Sequence, residues 1–310
     1  MEPTVLVLEG RAEELRAILK AEAPSLKVEI AEEKGGSLPS CDIWLGEPDR
    51  AVRVLEAGGR PRWIQSTWAG YRPLLAEGLP RDYRLSRAVG VFGQPIAEYV
   101  LTYMLAHEQG VARRVFAQAQ RSWQSENKPG SLYGRQVLIV GAGEIGREVA
   151  AFLAPFGVRL RGVVNTPRDI PGFEQVFSLD ALAQAVAEAD YIVSILPDTT
   201  ATRGIFDRRV FEAMRPHALL INAGRGTAVV DEDLIAALGA GRPAGAVLDV
   251  FSQEPLPPEH PFWQTKGVTV TSHVAGPMVP RLMGRLFLEN LPRFLAGRPL
   301  RGEVDFDSEY

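Results

Sequence analysis

The sequence predicts an α/β fold made of two doubly wound parallel-sheet domains, one inserted in the other. Three observations carry this. Strand-like and helix-like patterns alternate along the whole chain, as they do when crossover helices join parallel strands. A short β-branched run at 137–140 opens, in mid-chain, into a Gly-x-Gly-x-x-Gly turn at Gly141, Gly143 and Gly146. A helix-length segment, Pro280–Leu295, follows the last strand candidate and is expected to cross back and complete the first domain. The 310 residues, 46% of them hydrophobic, suffice for two cores of ordinary size.

In chain order, Thr4–Leu8, Lys27–Ile30, 42–45 and Trp63–Ser66 read as strands, with helices at 12–21 and 50–57 between them. A long apolar helix candidate runs from Ile96 through Tyr99, Val100, Tyr103 and Met104. A polar stretch, 122–130, separates it from the mid-chain glycine turn. Past that turn, Ile145, Val149, Phe152, Leu153 and Phe156 recur at helical spacing, which starts a helix at the third glycine. The strand Arg159–Val164 follows, and a further strand at 268–271 precedes the final helix and a short tail, 297–310. No internal repeat or low-complexity tract interrupts the pattern.

The glycine turn has the context that makes it specific, a buried strand before it and a helix after it. Gly141 permits the tight turn, Gly143 lets a pyrophosphate approach the backbone, and Gly146 lets helix and sheet pack closely. Glu144 and Ile145 lie between these glycines and are expected at the same phosphates, where the helix N-terminus offers free N–H groups. This is a dinucleotide-binding unit of Rossmann type. Residues 95–277 are therefore expected to form it, inserted in a smaller flavodoxin-like substrate domain of residues 1–94 and 278–310. The cleft between two such domains is the expected substrate site.

The end of the second strand of this unit reads Val163-Val164-Asn165-Thr166-Pro167-Arg168. A carboxylate at that position holds the ribose hydroxyls of NAD; here there is none before Asp169. Asn165 and Thr166 donate hydrogen bonds and Arg168 pairs with a 2′-phosphate. The segment favours NADP(H), with NAD(H) use left open.

Three later segments carry chemistry. In Leu219-Leu220-Ile221-Asn222-Ala223-Gly224-Arg225-Gly226 a buried strand empties into a glycine-flanked loop whose one charge is Arg225, suited to a two-point grip on a carboxylate. In Ala246-Val247-Leu248-Asp249-Val250-Phe251-Ser252-Gln253-Glu254-Pro255 another strand ends at an acid. Asp249 either caps a turn or faces the nicotinamide, and Glu254 taken alone reads as a loop acid. In Val268-Thr269-Val270-Thr271-Ser272-His273-Val274-Ala275-Gly276-Pro277 a histidine follows a short strand. His107, His217 and His260 lack such a setting.

Taken together, these segments resemble the D-isomer-specific 2-hydroxyacid dehydrogenase family over nearly the whole chain. Asn222-Ala223-Gly224-Arg225-Gly226, Asp249-Val250-Phe251 with Glu254-Pro255-Leu256, and Ser272-His273-Val274-Ala275-Gly276 match its signatures, as do Asp190-Tyr191-Ile192-Val193 and Leu196-Pro197. Trp44, the Trp68-Ala69-Gly70 loop and Glu98-Tyr99 are similar to its glyoxylate/hydroxypyruvate reductase A subgroup. Ser272 departs from the proline common before the histidine. The resemblance implies that Arg225 binds and polarises a 2-keto acid, that His273 is the acid/base, and that Glu254 orients and charges it. It implies cofactor contacts from Leu196, Pro197, Ala223, Gly224 and Asp249. It also implies that the N–H groups of Ala69 and Gly70 bind the substrate carboxylate, with Trp44 and Trp68 walling a small pocket.

The reaction so implied is NADPH-preferring reduction of small 2-keto acids such as glyoxylate or hydroxypyruvate. Two alternatives are an NAD-dependent dehydrogenase of another D-2-hydroxy acid and a cofactor-sensing interaction protein. Loss of Arg225, Glu254 or His273 would point to the second; all three are present. A net charge of −4 gives no support to nucleic-acid binding. No apolar run reaches membrane-spanning length, and Met1-Glu2-Pro3 opens into a strand rather than a leader, so a cytoplasmic protein is expected. Cys41, the one cysteine, excludes an intrachain disulfide and a thiolate metal cluster, and no metal is expected. The resemblance, with the apolar 99–105 segment and the Trp123 region, suggests a homodimer built on the dinucleotide domain.

Overall fold

The computed structural model describes residues 3–31 and 41–306; Met1, Glu2 and the end of the tail, 307–310, lie outside the described residues. The first elements are β1 (Thr4–Leu8), α1 (Ala12–Glu22), β2 (Lys27–Ile30), β3 (Ile43–Gly46), α2 (Pro48–Glu56), β4 (Trp63–Ser66) and β5 (Arg84–Ser86). Then come α3 (Gly93–Gln109), α4 (Val111–Ala119), β6 (Gln136–Val140), α5 (Glu144–Leu153), β7 (Arg159–Val164), β8 (Gln175–Ser178) and α6 (Leu182–Val186). The chain continues with β9 (Tyr191–Ser194), α7 (Arg208–Ala213), β10 (Leu219–Asn222), α8 (Asp231–Gly239), β11 (Gly245–Leu248), β12 (Val268–Val270) and α9 (Pro280–Leu295).

The chain divides into two compact units, Met1–Phe92 with Met278–Tyr310, and Gly93–Pro277. The first unit holds a parallel sheet in the order β2-β1-β3-β4-β5. Strands β3 and β4 are buried along their whole length, because a parallel sheet with helices on both faces leaves no polar side. At the edge, β2 alternates exposed and buried residues instead. Helix α9 returns to pack on α1, where Gly284 admits the Ile18 side chain; a Cβ there would stand 2.9 Å from it.

The second unit holds a parallel sheet in the order β12-β11-β10-β9-β6-β7-β8. The order reverses between β6 and β9, the switch point at which open α/β sheets bind ligands. Its core gathers Leu138, Val140, Ile192, Leu220 and Leu248 from the sheet with Phe206, Phe211 and Phe262 from the layers above it. Among the described residues, no helix is long and apolar enough to cross a membrane.

Several sequence expectations shift. Helix α2 starts at Pro48, two residues before 50, since proline at the first helical position costs no hydrogen bond. The long apolar helix breaks at Gly110, whose left-handed φ of 59° ends α3 and opens α4. Helix α5 begins at Glu144 with Gly143 as its N-cap, not at Gly146. The third glycine serves packing, since a Cβ on it would stand 2.3 Å from the Gly141 carbonyl oxygen. Phe152 and Phe156, which continue the helical spacing in the sequence, are exposed, and Phe156 lies past the end of α5 at Leu153.

Trp44 is a correction. Expected to wall a substrate pocket, it is 2% exposed and belongs to the core of the first unit with Leu6, Val54, Leu55 and Ile64. Its indole N–H donates to the Cys41 carbonyl at 3.1 Å, and its ring edge lies against Gly59, where a Cβ would approach within 2.7 Å. Position in the middle of β3, facing α2, decides this.

Candidate active site

The site of the second unit is built by register. Val140, Ser194, Asn222, Leu248 and Val270 are paired neighbour to neighbour, so the carboxyl ends of five strands stand in one row. At about 4.8 Å per strand the row spans about 19 Å. The residues that follow these strand ends are the predicted site residues: Gly141, Leu196 and Pro197, Arg225, Asp249 and Glu254, and His273.

The glycine turn fits a dinucleotide phosphate. Gly141 has φ 100°, and its N–H and that of Ala142 both donate to the Val163 carbonyl at 3.0 Å, clamping the turn to the end of β7. A Cβ on Gly141 would stand 2.7 Å from the Ile195 carbonyl oxygen, and one on Gly224 2.6 Å from the Leu196 nitrogen. The 195–196 backbone thus packs against both glycine loops. Gly143, by contrast, is exposed and has nothing within 4 Å of its Cβ position. An exposed glycine with open space, capping α5, is the cradle that an anionic group requires. Glu144 and Ile145 are half-buried in the first turn of that helix. Asn165, Thr166 and Arg168 follow β7 in an exposed loop.

Arg225 is held by its neighbours rather than by its own length. The buried Asn222 side chain donates from Nδ2 to the Arg225 carbonyl at 3.0 Å, and its Oδ1 accepts the Gly224 N–H at 3.2 Å. Nη1 of Arg225 donates to the Gly224 carbonyl at 2.6 Å. Gly226 is required because a Cβ there would fall 1.9 Å from the Phe251 carbonyl carbon. Ala223 sits half-buried, its N–H donating to the Ser194 carbonyl.

His273 and Glu254 form a pair. Nδ1 of the imidazole lies 2.7 Å from Oε2 of the carboxylate, and the other oxygen, Oε1, accepts the Phe251 N–H at 2.9 Å. Both side chains retain solvent access, 54% and 35% respectively. With Nδ1 facing the carboxylate, Nε2 is the nitrogen left for chemistry. His273 adopts φ 55°, a left-handed conformation that costs a non-glycine residue about 1–2 kcal/mol.

Asp249 supplies what holds that conformation. It is 1% exposed. Its carbonyl accepts the His273 N–H at 2.8 Å, and its carboxylate accepts Val274 N–H at 2.9 Å, Ala275 N–H at 2.8 Å and the Thr271 hydroxyl at 2.5 Å. It fastens the histidine turn. Ser272 is exposed and leaves that turn intact.

The loop Trp68-Ala69-Gly70 lies in the first unit, after β4. Trp68 is 39% exposed, and Ala69 and Gly70 are half-buried. The loop is tied down by Ser66, whose hydroxyl bonds both the N–H and the carbonyl of Trp68 at 3.0 Å, and by Ala88 N–H donating to the Trp68 carbonyl. Beside it, at the β1/β3 switch point, Glu9 accepts the Thr67 hydroxyl at 2.6 Å, and the Gly10 N–H is shared between Glu9 and Glu47. Burial, reinforced by the neighbouring Glu47, pushes the Glu9 carboxyl up to about 7 against the opposing Thr67 and Gly10 hydrogen bonds.

Sequence reasoning missed Asn222, Thr271, Tyr99 and Glu9 as supporting groups. Asn222 had a signal: a single polar residue ending the apolar run Leu219-Leu220-Ile221. Thr271 had none, since a β-branched residue at a strand end reads as strand. Among the described residues, no cluster of three or more His, Cys, Asp or Glu side chains is placed to hold a metal ion.

Comparisons with known proteins converge on one family. The family model described as D-isomer specific 2-hydroxyacid dehydrogenase, NAD binding domain, matches residues 101–275. A glyoxylate/hydroxypyruvate reductase A from Serratia proteamaculans is 31% identical over 301 residues, 95% of each chain. A D-isomer specific 2-hydroxyacid dehydrogenase family protein from Aeromonas salmonicida superposes with a TM-score of 0.93 at 37% identity, covering 99% of this chain and 100% of its own. An NADPH-dependent glyoxylate/hydroxypyruvate reductase from Sinorhizobium meliloti, solved with NADP and sulfate, superposes with a TM-score of 0.85 at 29% identity over the whole of both chains.

Proposed function

The chain belongs to the D-isomer specific 2-hydroxyacid dehydrogenase family and is an NAD(P)-dependent enzyme, and from that premise we propose that it reduces small 2-keto acids, glyoxylate and hydroxypyruvate among them, with NADPH preferred. The observation that carries this reading is the placement of Arg225, Glu254 and His273 after three consecutive strands, β10, β11 and β12, with His273 and Glu254 2.7 Å apart.

The reduction needs a hydride on the keto carbon and a proton on its oxygen. The nicotinamide cofactor supplies the hydride when bound. Protonated His273 delivers the proton from Nε2, and Glu254 stabilises the imidazolium from the Nδ1 side. The guanidinium of Arg225 grips the carboxylate and places positive charge beside the developing alkoxide. Ala69 and Gly70 are assigned to the substrate carboxylate through their N–H groups, and Trp68 to restricting substrate size. The turn at Gly141 and Gly143, with Glu144 and Ile145, would hold the pyrophosphate, and Gly146 lets helix and sheet pack closely behind it. Leu196, Pro197, Ala223 and Gly224 would line the path of the cofactor, Asn165, Thr166 and Arg168 would take the 2′-phosphate, and Asp249 acts through the turn it fastens.

The NADPH preference rests on the end of β7, where a carboxylate would repel a 2′-phosphate and where Asn165, Thr166 and Arg168 stand instead. Steady-state rates on a panel of keto acids with each cofactor test the reading. Arg168→Ala is expected to weaken NADPH binding by about tenfold, the order of one exposed charge-assisted contact, and to leave NADH unchanged. Equal affinities of the unaltered enzyme for the two cofactors refute the preference, and no turnover with any keto acid refutes the activity.

A homodimer joined through the second unit accompanies this reading. On α4, Val111, Val115 and Phe116 are exposed, and Trp123 beyond it is 92% exposed. Exposed apolar residues gathered on one helix and just beyond it offer the kind of surface that a second copy would cover. Light scattering at micromolar concentration is expected to return twice the 33.9 kDa chain mass; a monomer there refutes it.

A further inference from the structure

The His273 turn is held by a chain of hydrogen bonds that begins on α3. Asp249 is buried and, as a carboxylate, only accepts. Thr271 Oγ1, 2.5 Å from its Oδ1, must therefore be the donor. A hydroxyl has one proton, and that of Thr271 is spent on Asp249. The Tyr99 hydroxyl, 2.7 Å from the same Oγ1, must then donate to it. The direction of the whole chain is fixed: Tyr99 donates to Thr271, Thr271 to Asp249, and Asp249 receives the N–H groups of Val274 and Ala275 on its two oxygens.

Tyr99 is suited to anchor this chain. The ring of Tyr103, one turn further along α3, packs on it at 4.8 Å between centroids. Burial pushes its phenol well above the ordinary range, so it stays a donor at any physiological pH. Helix α3 is itself fixed against α5, where Gly93 admits Glu148 so closely that a Cβ would overlap it.

We propose that Tyr99 and Thr271 are positioning residues for His273, acting through the Asp249 carboxylate that fastens its left-handed turn. The proposal rests on His273 being the acid of the reaction. Neither hydroxyl touches substrate in it; Thr271 donates to Oδ1 of Asp249, the oxygen that also accepts the Val274 N–H, and Tyr99 holds the Thr271 hydroxyl in place. Removing the Thr271 hydroxyl takes one donor from Oδ1, removing that of Tyr99 leaves the Thr271 hydroxyl unheld, and either change loosens a carboxylate otherwise held by the Val274 and Ala275 N–H groups. The turn then relaxes from its left-handed conformation and the imidazole loses its place against Glu254. Misplacement of an acid by a fraction of an ångström lowers turnover more than binding.

The test compares Tyr99→Phe, Thr271→Val and Thr271→Ser with His273→Ala. Three readouts are taken: kcat and KM for glyoxylate with NADPH, the affinity for NADPH, and the Nδ1–H proton resonance of His273 in ¹⁵N-histidine-labelled enzyme. The expected result is a kcat lowered about tenfold in Tyr99→Phe and Thr271→Val, with KM and NADPH affinity within twofold of the unaltered enzyme. The His273 resonance moves in both variants, and Thr271→Ser, which keeps the hydroxyl, restores both rate and resonance. An unmoved resonance with unaltered kcat overturns the proposal. So does a loss of rate matched by an equal loss of NADPH affinity and melting temperature, or a Thr271→Ser enzyme as impaired as Thr271→Val. An active His273→Ala enzyme instead refutes the acid role of His273, and the resonance in Tyr99→Phe then still decides whether the hydroxyl chain positions the ring.

Discussion

Glu254 uses its two carboxylate oxygens for two different tasks: Oε2 meets Nδ1 of His273 at 2.7 Å, and Oε1 accepts the Phe251 N–H at 2.9 Å. One oxygen serves the charge of the imidazole while the other fixes the loop from which the carboxylate projects. These tasks are separable by substitution. Glu254→Gln retains an oxygen for the Phe251 N–H and removes the negative charge. Keto-acid reduction in the glutamine variant is expected to have a lower kcat than in the unaltered enzyme, because a neutral amide no longer stabilises imidazolium. An unaltered kcat refutes the pairing. His273→Ala is expected to lower kcat by about 10²–10⁴-fold, the usual worth of general acid assistance, with NADPH affinity intact.

Arg225 offers a second test. Lysine at this position keeps the charge but not the planar two-point grip, and it loses the hydrogen bond to the Gly224 carbonyl. Arg225→Lys is expected to lower kcat/KM by about 10²-fold, or roughly 2.7 kcal/mol of transition-state stabilisation, at an unchanged melting temperature. A kcat/KM near that of the unaltered enzyme removes Arg225 from the carboxylate role.

The glycines of the turn separate fold from ligand. Gly146→Ala sets a Cβ 2.3 Å from the Gly141 carbonyl oxygen, and is expected to lower stability by about 1–3 kcal/mol, the usual cost of overpacking. Gly143→Ala meets nothing within 4 Å and has a negative φ of −75°, so its melting temperature should stay within a degree or two. Its methyl group would fill the space assigned to the pyrophosphate, and NADPH affinity is expected to drop at least tenfold. Thermal melts and cofactor titrations on the two variants check the contrast, and undiminished NADPH affinity in Gly143→Ala counts against a phosphate there.

Glu9 predicts a pH dependence of stability. Its carboxyl is raised from 4.5 to about 7 in the folded chain, chiefly by burial. The folded state therefore holds this proton more tightly than the unfolded one. The associated stabilisation is fully present below the unfolded value and is lost as pH rises through about 7. Glu9→Gln removes that loss. Its melting temperature should exceed that of the unaltered enzyme at pH 8 by about 1–2 °C, which corresponds to about 1 kcal/mol in a chain of this size, and the gap should close toward pH 5. Melts across that range check it; a gap independent of pH rejects the titration of Glu9.

Local signals in the sequence determined the α/β class, most strand and helix positions, and the glycine turn with its dinucleotide chemistry. Hydrophobic periodicity and glycine placement act over a few residues, so they survive being read without a partner. The end of β7 could be read for the same reason: Asn165, Thr166 and Arg168, proposed to meet a 2′-phosphate, are contiguous. The motifs around Arg225, Glu254 and His273 were legible as wording, yet nothing in their spacing brings residues 225, 254 and 273 together. The parallel register of β10, β11 and β12 sets Asn222, Leu248 and Val270 side by side, so the loops that carry Arg225, Glu254 and His273 leave neighbouring strand ends, and His273 meets Glu254. Tertiary packing alone decided that Trp44 is core, because a tryptophan mid-strand reads alike whether its face meets a helix or a pocket. It alone decided that Asp249 fastens a turn, since which donors reach a buried carboxylate depends on the path of chain 22 to 26 residues away. And it alone joined Tyr99 to Thr271 across 172 residues, a contact that no local pattern encodes because each partner satisfies an ordinary helix or strand position by itself.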